Sequence, residues 1–526
     1  MPGRGGVGVG EAQKSRLSLA WPAGRSPKNA LAFGLGAASG LSFAPLGLWP
    51  LGVCLFAATM VYLDGRPTPG AAMLWGWLLG LGQFLVSLSW ISEAFTYQNQ
   101  MPIWAGAGAV LLLCSGLALF PAVALGLAAR FWTRRPSRIL VLAACWTGGE
   151  WLRGHLFSGF PWNTLGQIWF DTPVVLQFAR HAGTYGLSFL TVALFASVAL
   201  WRESVSRARV WAGLGVAIGA IVLLDGVLVL RAARLTQIDR PLVHLVQANI
   251  EQDLEFDAAR QTDILQRYEA MMRTVSKTAP PGIVIWPETA LEFDVAADAG
   301  LRTRLGTSLG RHPLLILGAP RLEAQSFGAG RAFNGLLVID QTGQVQASYD
   351  KVRLVPFGEY LPGARLFSWF GLEALAASAH RFTPGAGAAI LAAPGAPPFA
   401  AAICYEIIFP GSIVPSGARP EWILNISNDA WFGRSWGPHQ HFAQARLRAV
   451  EQGLPVVRST PTGVSGVIDS HGRVIARTAL GEPAILTASI PPAQPATLYS
   501  RTGDASLLLM LVGLIVAAAV RRPITA

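Results

Sequence analysis

Seven apolar runs in close succession, from about residue 29 to 231, constrain this chain more than any other feature. They lie near 29–45, 46–63, 70–92, 103–129, 138–153, 183–201 and 210–230, separated by short polar or Pro/Gly punctuation. An eighth run, SLLLMLVGLIVAAAV at 506–520, closes the chain. A hydrocarbon core of about 30 Å is crossed by roughly 20 apolar residues in a helix. One such run would fit a buried core helix of a soluble protein; seven in sequence predict a multi-pass α-helical membrane bundle of about eight spans. Composition agrees, with 52% of the 526 residues hydrophobic and 13% charged, about half the charged share of an ordinary soluble domain. Only four Cys are present, which excludes a disulfide-rich scaffold.

A net charge of +11 would suit a nucleic-acid binder, but the positions of the cations argue for topology instead. With the N-terminus inside, the inner segments hold Arg4, Lys14, Arg16, Arg25, Lys28 and Arg66, then Arg130, Arg134, Arg135 and Arg138. Arg202, Arg207, Arg209, Arg521 and Arg522 complete the inner set, whereas the outer turn 93–102 has no Lys or Arg. That alternation follows the positive-inside rule. The 28-residue lead is too long and polar for a signal peptide, so no cleavage is expected. The expected organisation is a cytoplasmic tail at 1–28, spans 1–7 over 29–231, an outer domain at 232–504, and a last span and cytoplasmic tail at 505–526.

The outer segment has a different texture. Short β-rich runs (242–249, 282–286, 313–318, 333–340, 399–404 and 421–427) alternate with polar helical patterns at 257–277 and 438–452. This interleaving predicts a layered α/β domain, followed after 455 by hairpin strands joined through Gly-containing turns.

Three strand ends in that domain carry chemistry. Cys404 is its only thiol and sits where an apolar strand stops, ahead of Tyr405 and Glu406; alone it fits either an inert strand Cys or a nucleophile. Glu288 follows the run GIVIW-Pro, and Lys351 precedes VRLVPFGEY with its Glu359. A thiol needs a base to ionise it, a carboxylate shielded from water can serve, and an ammonium can stabilise an oxyanion. Each group has a plain alternative as a helix-terminal charge, a surface lysine or an ion-pair partner; together they suit acyl transfer.

In this order the segments WPETA (286–290), YDKVRLVPFGEY (349–360), ICYEIIFP (403–410) and NISNDAWFG (425–433) resemble the nitrilase superfamily. The run QHFAQARLRAVEQGLPVVRST (440–460) continues the likeness, which covers about 240–490. With the flanking spans, the chain resembles the apolipoprotein N-acyltransferase family of the bacterial inner membrane. The resemblance implies an α-β-β-α sandwich on the periplasmic side, with Glu288 as general base, Lys351 as oxyanion stabiliser and Cys404 as nucleophile. It further implies Glu359 orienting the lysine, and Tyr405 and Glu406 in a loop guarding substrate entry. The implied partners are a phospholipid acyl donor and a diacylglyceryl apolipoprotein acceptor, joined through a Cys thioester by an integral membrane monomer that needs no metal, cofactor or nucleic acid. Two positions depart from the family pattern. Phe256 stands where a Trp is usual, so a donor contact in that loop is not expected, and Pro461 replaces a frequent Thr-Asn, in an outer strand.

Two rival readings keep parts of this. A tethered hydrolase of small amides or nitriles would use the same three groups with water as acceptor, but would not need eight spans. The outer aromatics (Trp90, Phe95, Tyr97, Trp104 and 160–170) with Glu93 fit an interface between lipid and the domain, or an ordinary aromatic belt. A transporter would carry more ionisable residues than Glu150, Arg153 and Asp225 within its spans. His439 and His441, two apart on different sides of a helix, form no ligand set.

Overall fold

The computed structural model describes residues 25–97, 103–204, 206–233, 240–250, 258–323, 330–362 and 382–520. Phe256 and both chain ends lie outside the described residues.

The apolar runs form helices at Arg25–Gly40, Pro50–Asp64, Pro69–Ser87, Ile103–Leu117, Leu119–Arg130, Arg138–His155, Ala179–Ser197, Ser206–Ala232 and Ala505–Val520. By length and hydropathy, four helical stretches among the described residues can cross a membrane: Pro69–Ser87, Trp104–Arg130, Ala179–Arg202 and Ser206–Ala232. The expectation of about eight is therefore met by composition in only half the cases. Of Arg25–Gly40 and Ala505–Val520, which border the undescribed chain ends, 16 residues each are described, and Arg138–His155 contains Arg138, Glu150 and Arg153. Leu112, Val216, Ile221 and Leu509 are exposed on the bundle's flanks, an apolar surface that water would penalise. At one end of the bundle, Arg138 Nε donates to Asp64 Oδ1 at 2.9 Å and its Nη2 to Glu203, so the turns near 64, 138 and 203 meet there.

The remainder is built on two six-stranded sheets. The first comprises β1 (Leu242–Gln247), β2 (Gly282–Ile285), β3 (Leu314–Glu323), β4 (Arg331–Asp340), β5 (Val345–Asp350) and β12 (Ala484–Ser489), in the order β12-β1-β2-β3-β4-β5. The second holds β6 (Ile390–Ala393), β7 (Ala396–Ile403), β8 (Trp422–Ile426), β9 (Val456–Ser459), β10 (Gly466–Ile468) and β11 (Val474–Arg477), ordered β11-β10-β9-β8-β7-β6. β1, β2 and β3 run parallel, as do β7, β8 and β9. Period-two alternation sends Val243, Leu245, Ile283, Ile285 and Ile316 inward against Phe399, Ala401, Ile403 and Leu424. The intervening Val246, Val284, Leu315 and Leu317 meet Leu265, Tyr268 and Met272 of helix Ala258–Thr278 and Leu301 and Leu305 of helix Ala299–Ser308. The layers are thus α-β-β-α. Pro461 lies not in an outer strand but in the buried turn between β9 and β10, where its carbonyl accepts from Asn249 N at 2.7 Å; a residue without an N–H serves there because only the carbonyl is used.

Helix Gly437–Gln452 covers the second sheet and is itself covered by the bundle, Leu447 and Val450 packing among the bundle's apolar residues. Two of its buried polar side chains, Gln440 and Glu451, are consequently bonded across the junction. Glu451 Oε1 accepts from Thr184 N at 2.7 Å and Thr184 Oγ1 at 2.6 Å. The kink at Gly183 (φ 67°) leaves that N–H free of the helix, and a Cβ on Gly183 would lie 2.3 Å from the Tyr499 ring. Gln440 Oε1 accepts from Trp90 Nε1 at 3.1 Å, Trp162 Nε1 at 2.8 Å and Asn163 Nδ2 at 3.3 Å. Its Nε2 donates to the carbonyls of Ala44 at 3.1 Å and Ser87 at 3.0 Å. The outer aromatics Trp90 and Trp162 therefore join bundle to sandwich, while Trp104 is 75% exposed. Gln440→Leu would orphan these groups at about 1–3 kcal/mol each. The expected result is a thermal midpoint in detergent lower by at least about 5 °C, measured by tryptophan fluorescence; an unchanged midpoint would contradict this role for Gln440.

Candidate active site

Strand ends bring the sequence-predicted groups together. Glu288 leaves β2 through Trp286 and Pro287, and this segment is laced to β3 by Trp286 N to Ile316 O (2.8 Å), Gly318 N to Pro287 O (3.0 Å) and Ala290 N to Gly318 O (2.9 Å). The approach is so close that a Cβ on Gly318 would sit 2.6 Å from Glu288 Cα. Lys351 follows β5, and its backbone N donates to Asn334 O at 2.9 Å on β4. Its ammonium, 1% exposed, donates to Glu288 Oε1 at 3.1 Å and to Glu359 Oε1 at 2.8 Å. Asn334 Nδ2 bonds the same two oxygens, each at 2.8 Å. Glu288 Oε2 accepts from Asn428 N at 2.6 Å, reaching the second sheet, and Glu359 Oε2 accepts from Val355 N at 2.7 Å.

Cys404 ends β7 with φ 49°, left-handed backbone for a residue that carries a Cβ. Burial pushes its thiol pKa up, the nearby Glu288 carboxylate adds to this, the Lys351 ammonium opposes it, and Asp429 raises it further. Burial would depress the Lys351 ammonium, but Glu288, Glu359 and Cys404 carry it well above the ordinary lysine range. The resting state is therefore a protonated thiol beside a fixed cation and two carboxylates. Such a thiol becomes nucleophilic when a carboxylate takes its proton as bonding begins.

Tyr405 and Glu406 are both buried. Glu406 is buried and accepts from Ile403 N at 2.7 Å, Val352 N at 2.7 Å, Arg353 N at 3.1 Å and Tyr349 Oη at 2.9 Å, tying the end of β7 to the loop after Lys351. Burial raises its carboxyl pKa and those N–H groups hold it down. Tyr405 Oη, also buried, donates to Gly159 O at 2.9 Å, linking the turn at Cys404 to the bundle.

Sequence reasoning does not single out Asn334, Ser427, Asp429 or Arg458, and considers His441 only as a metal ligand. Ser427 Oγ donates to Asp429 Oδ1 at 2.7 Å, and Arg458 Nη2 to Asp429 Oδ2 at 2.5 Å. Their signal was available: Asn334 and Arg458 are polar residues inside otherwise apolar strand runs, which demands partners. Among the described residues no group of three or more His, Cys, Asp or Glu is arranged to hold a metal ion.

Residues 35–198 match the family described as apolipoprotein N-acyltransferase N-terminal domain, and 242–497 match carbon-nitrogen hydrolase. A relative from Bradyrhizobium diazoefficiens named apolipoprotein N-acyltransferase is 40% identical over 93% of each chain. Another of that name from Rhodopseudomonas palustris is 36% identical over 97% of this chain and 98% of its own. Among solved structures, a CN-hydrolase superfamily protein from Xanthomonas campestris aligns with 55% of this chain and 100% of its own, at 19% identity and a TM-score of 0.35.

The electrostatics give a signed expectation. Because the thiol pKa is raised, alkylation of Cys404 by a small reagent in a Cys54→Ala background should keep climbing with pH through 9, without the plateau of a low-pKa thiolate. Lys351→Met removes a cation that lowers that pKa, and each unit gained slows labelling about tenfold at fixed pH. Peptide mass spectrometry reads the rate; equal rates for the two proteins would show that the ammonium does not act on the sulfur.

Proposed function

The chain belongs to the apolipoprotein N-acyltransferase family and is an acyltransferase enzyme, and we propose that Cys404 carries the acyl group as a thioester between a phospholipid donor and a lipoprotein acceptor. The observation that carries this reading is the Lys351 ammonium, held at 3.1 Å from Glu288 and 2.8 Å from Glu359 and acting electrostatically on the Cys404 sulfur.

In the first half-reaction Glu288 takes the Cys404 proton as the sulfur attacks the ester carbonyl. Lys351 stabilises the oxyanion, the ester C–O bond breaks, and Glu288 returns the proton to the departing lysophospholipid oxygen. In the second, the α-amine of a diacylglyceryl cysteine attacks the thioester carbonyl. Such an amine has an ordinary pKa of about 7.7–8.0, so a neutral fraction is present at physiological pH. The C–S bond breaks, an amide forms, and the proton lost by nitrogen reaches sulfur through Glu288. Glu359 and Asn334 keep Lys351 and Glu288 in register throughout. One chain supplies every group, so a monomer suffices.

Lipid substrates give a reason for the site's attachment to the bundle through Tyr405, Gln440 and Glu451. An eight-span topology, with the sandwich periplasmic and both ends cytoplasmic at the inner membrane, draws support from the meeting of Asp64, Arg138 and Glu203 at one end of the bundle, beside the basic loops. After incubation with phosphatidylethanolamine vesicles, intact mass should show a hydroxylamine-labile acyl adduct on the protein that Cys404→Ser lacks. Glu288→Gln should form it about 10²–10⁴-fold more slowly. An adduct that persists in Cys404→Ser would remove Cys404 from the mechanism.

A further inference from the structure

One side chain touches the nucleophile's own peptide without belonging to the Glu–Lys–Cys set. His441, fully buried in helix Gly437–Gln452, places Nε2 3.2 Å from the carbonyl oxygen of Cys404. Its Nδ1 lies 2.9 Å from Asp429 Oδ1 and 3.0 Å from Arg458 Nη2. Asp429 is held in turn by Ser427 and Arg458, and Arg458 Nη1 reaches Asn425 on β8. All of these residues are buried.

The hydrogen-bond chemistry orients the ring. A carbonyl oxygen only accepts, so Nε2 must carry a proton to bond it. Nδ1 can then accept from Arg458 or, in a doubly protonated ring, donate to Asp429; the Nε2–H donor is common to both states. The need for such a donor follows from Cys404's backbone. Left-handed conformation costs an L-residue roughly 1–2 kcal/mol and persists where surrounding structure enforces it. The C=O and N–H of one trans peptide point in opposite directions, so anchoring the Cys404 carbonyl also fixes the direction of the Tyr405 N–H.

We propose that His441, oriented by Asp429 and Arg458, is a positioning residue for acyl transfer, its Nε2–H holding the Cys404 carbonyl and thereby the conformation from which the sulfur attacks. The inference rests on Cys404 being the nucleophile, and the test separates the two. His441→Gln can place an amide N–H near the position of Nε2, His441→Asn falls short by a methylene, and His441→Leu offers no donor. With phosphatidylethanolamine vesicles, adduct formation by the Gln variant should stay within about threefold of the unsubstituted protein. The Asn and Leu variants should lose about 30–100-fold, as expected for a nucleophile misplaced by a fraction of an ångström or more. The loss should fall on the maximal rate and leave the half-saturating phospholipid concentration within about twofold, since His441 binds the peptide and not the donor. Asn and Gln variants should share a thermal midpoint. Charging of the Asn and Leu variants at the unsubstituted rate overturns the inference, as does a Gln variant as slow as Leu. No adduct on the unsubstituted protein would instead sink the nucleophile reading itself.

Discussion

An ammonium cannot be taken out of water alone, and the site is organised around that fact. Stripping an ion of its hydration costs several kcal/mol even after relaxation, so the nearly inaccessible Lys351 requires anions at contact distance. Glu288 comes from the end of β2, Glu359 from the loop beyond β5, and Asn334 from the middle of β4, all on one cation or on each other. Satisfying that cation holds three parts of the first sheet in register. Glu288 carries the constraint to the second sheet through the Asn428 amide. Burial first, and then the charge of Glu288, raise the neighbouring thiol's pKa, while the Lys351 ammonium opposes them.

The same rule, that buried polar groups need partners, governs the union of sandwich and bundle. Helix Gly437–Gln452 is rich in Gln, Arg, His and Glu, and would be an exposed layer in a free-standing sandwich. Here it is enclosed, and Gln440, Arg448 and Glu451 spend their donors and acceptors on bundle groups, on neighbouring backbone or on each other. The turn at Cys404 is tied in as well: Tyr405 reaches Gly159, and Arg153 holds the carbonyls of Phe160 at 2.7 Å and Trp162 at 2.6 Å in the same loop. Movement of that loop would therefore be felt one residue from Cys404.

Much of this was legible along the chain. Glu288 and Cys404 each follow a run of buried β residues and Lys351 follows the largely exposed β5, and α/β architectures place their chemistry at strand ends. Glu359 was readable as a partner of Lys351 from its proximity in sequence. Adjacency to Cys404 does not reveal the direction of Glu406, whose carboxylate turns to four donors that come from residues 349, 352, 353 and 403. His441 was weighed only as a metal ligand, since its partners Asp429 and Cys404 lie 12 and 37 positions away.

Local pattern by itself determined the apolar helices, the alternating strands and the types of residue available for acyl chemistry, because periodicity and hydropathy act over a few neighbouring residues. Tertiary structure alone decided which polar side chains share an ion, which face of helix Gly437–Gln452 meets the bundle, and that Cys404 sits in a left-handed turn anchored by His441. Those outcomes depend on desolvation and on contacts between residues distant in sequence, and neither is written in the order of the chain.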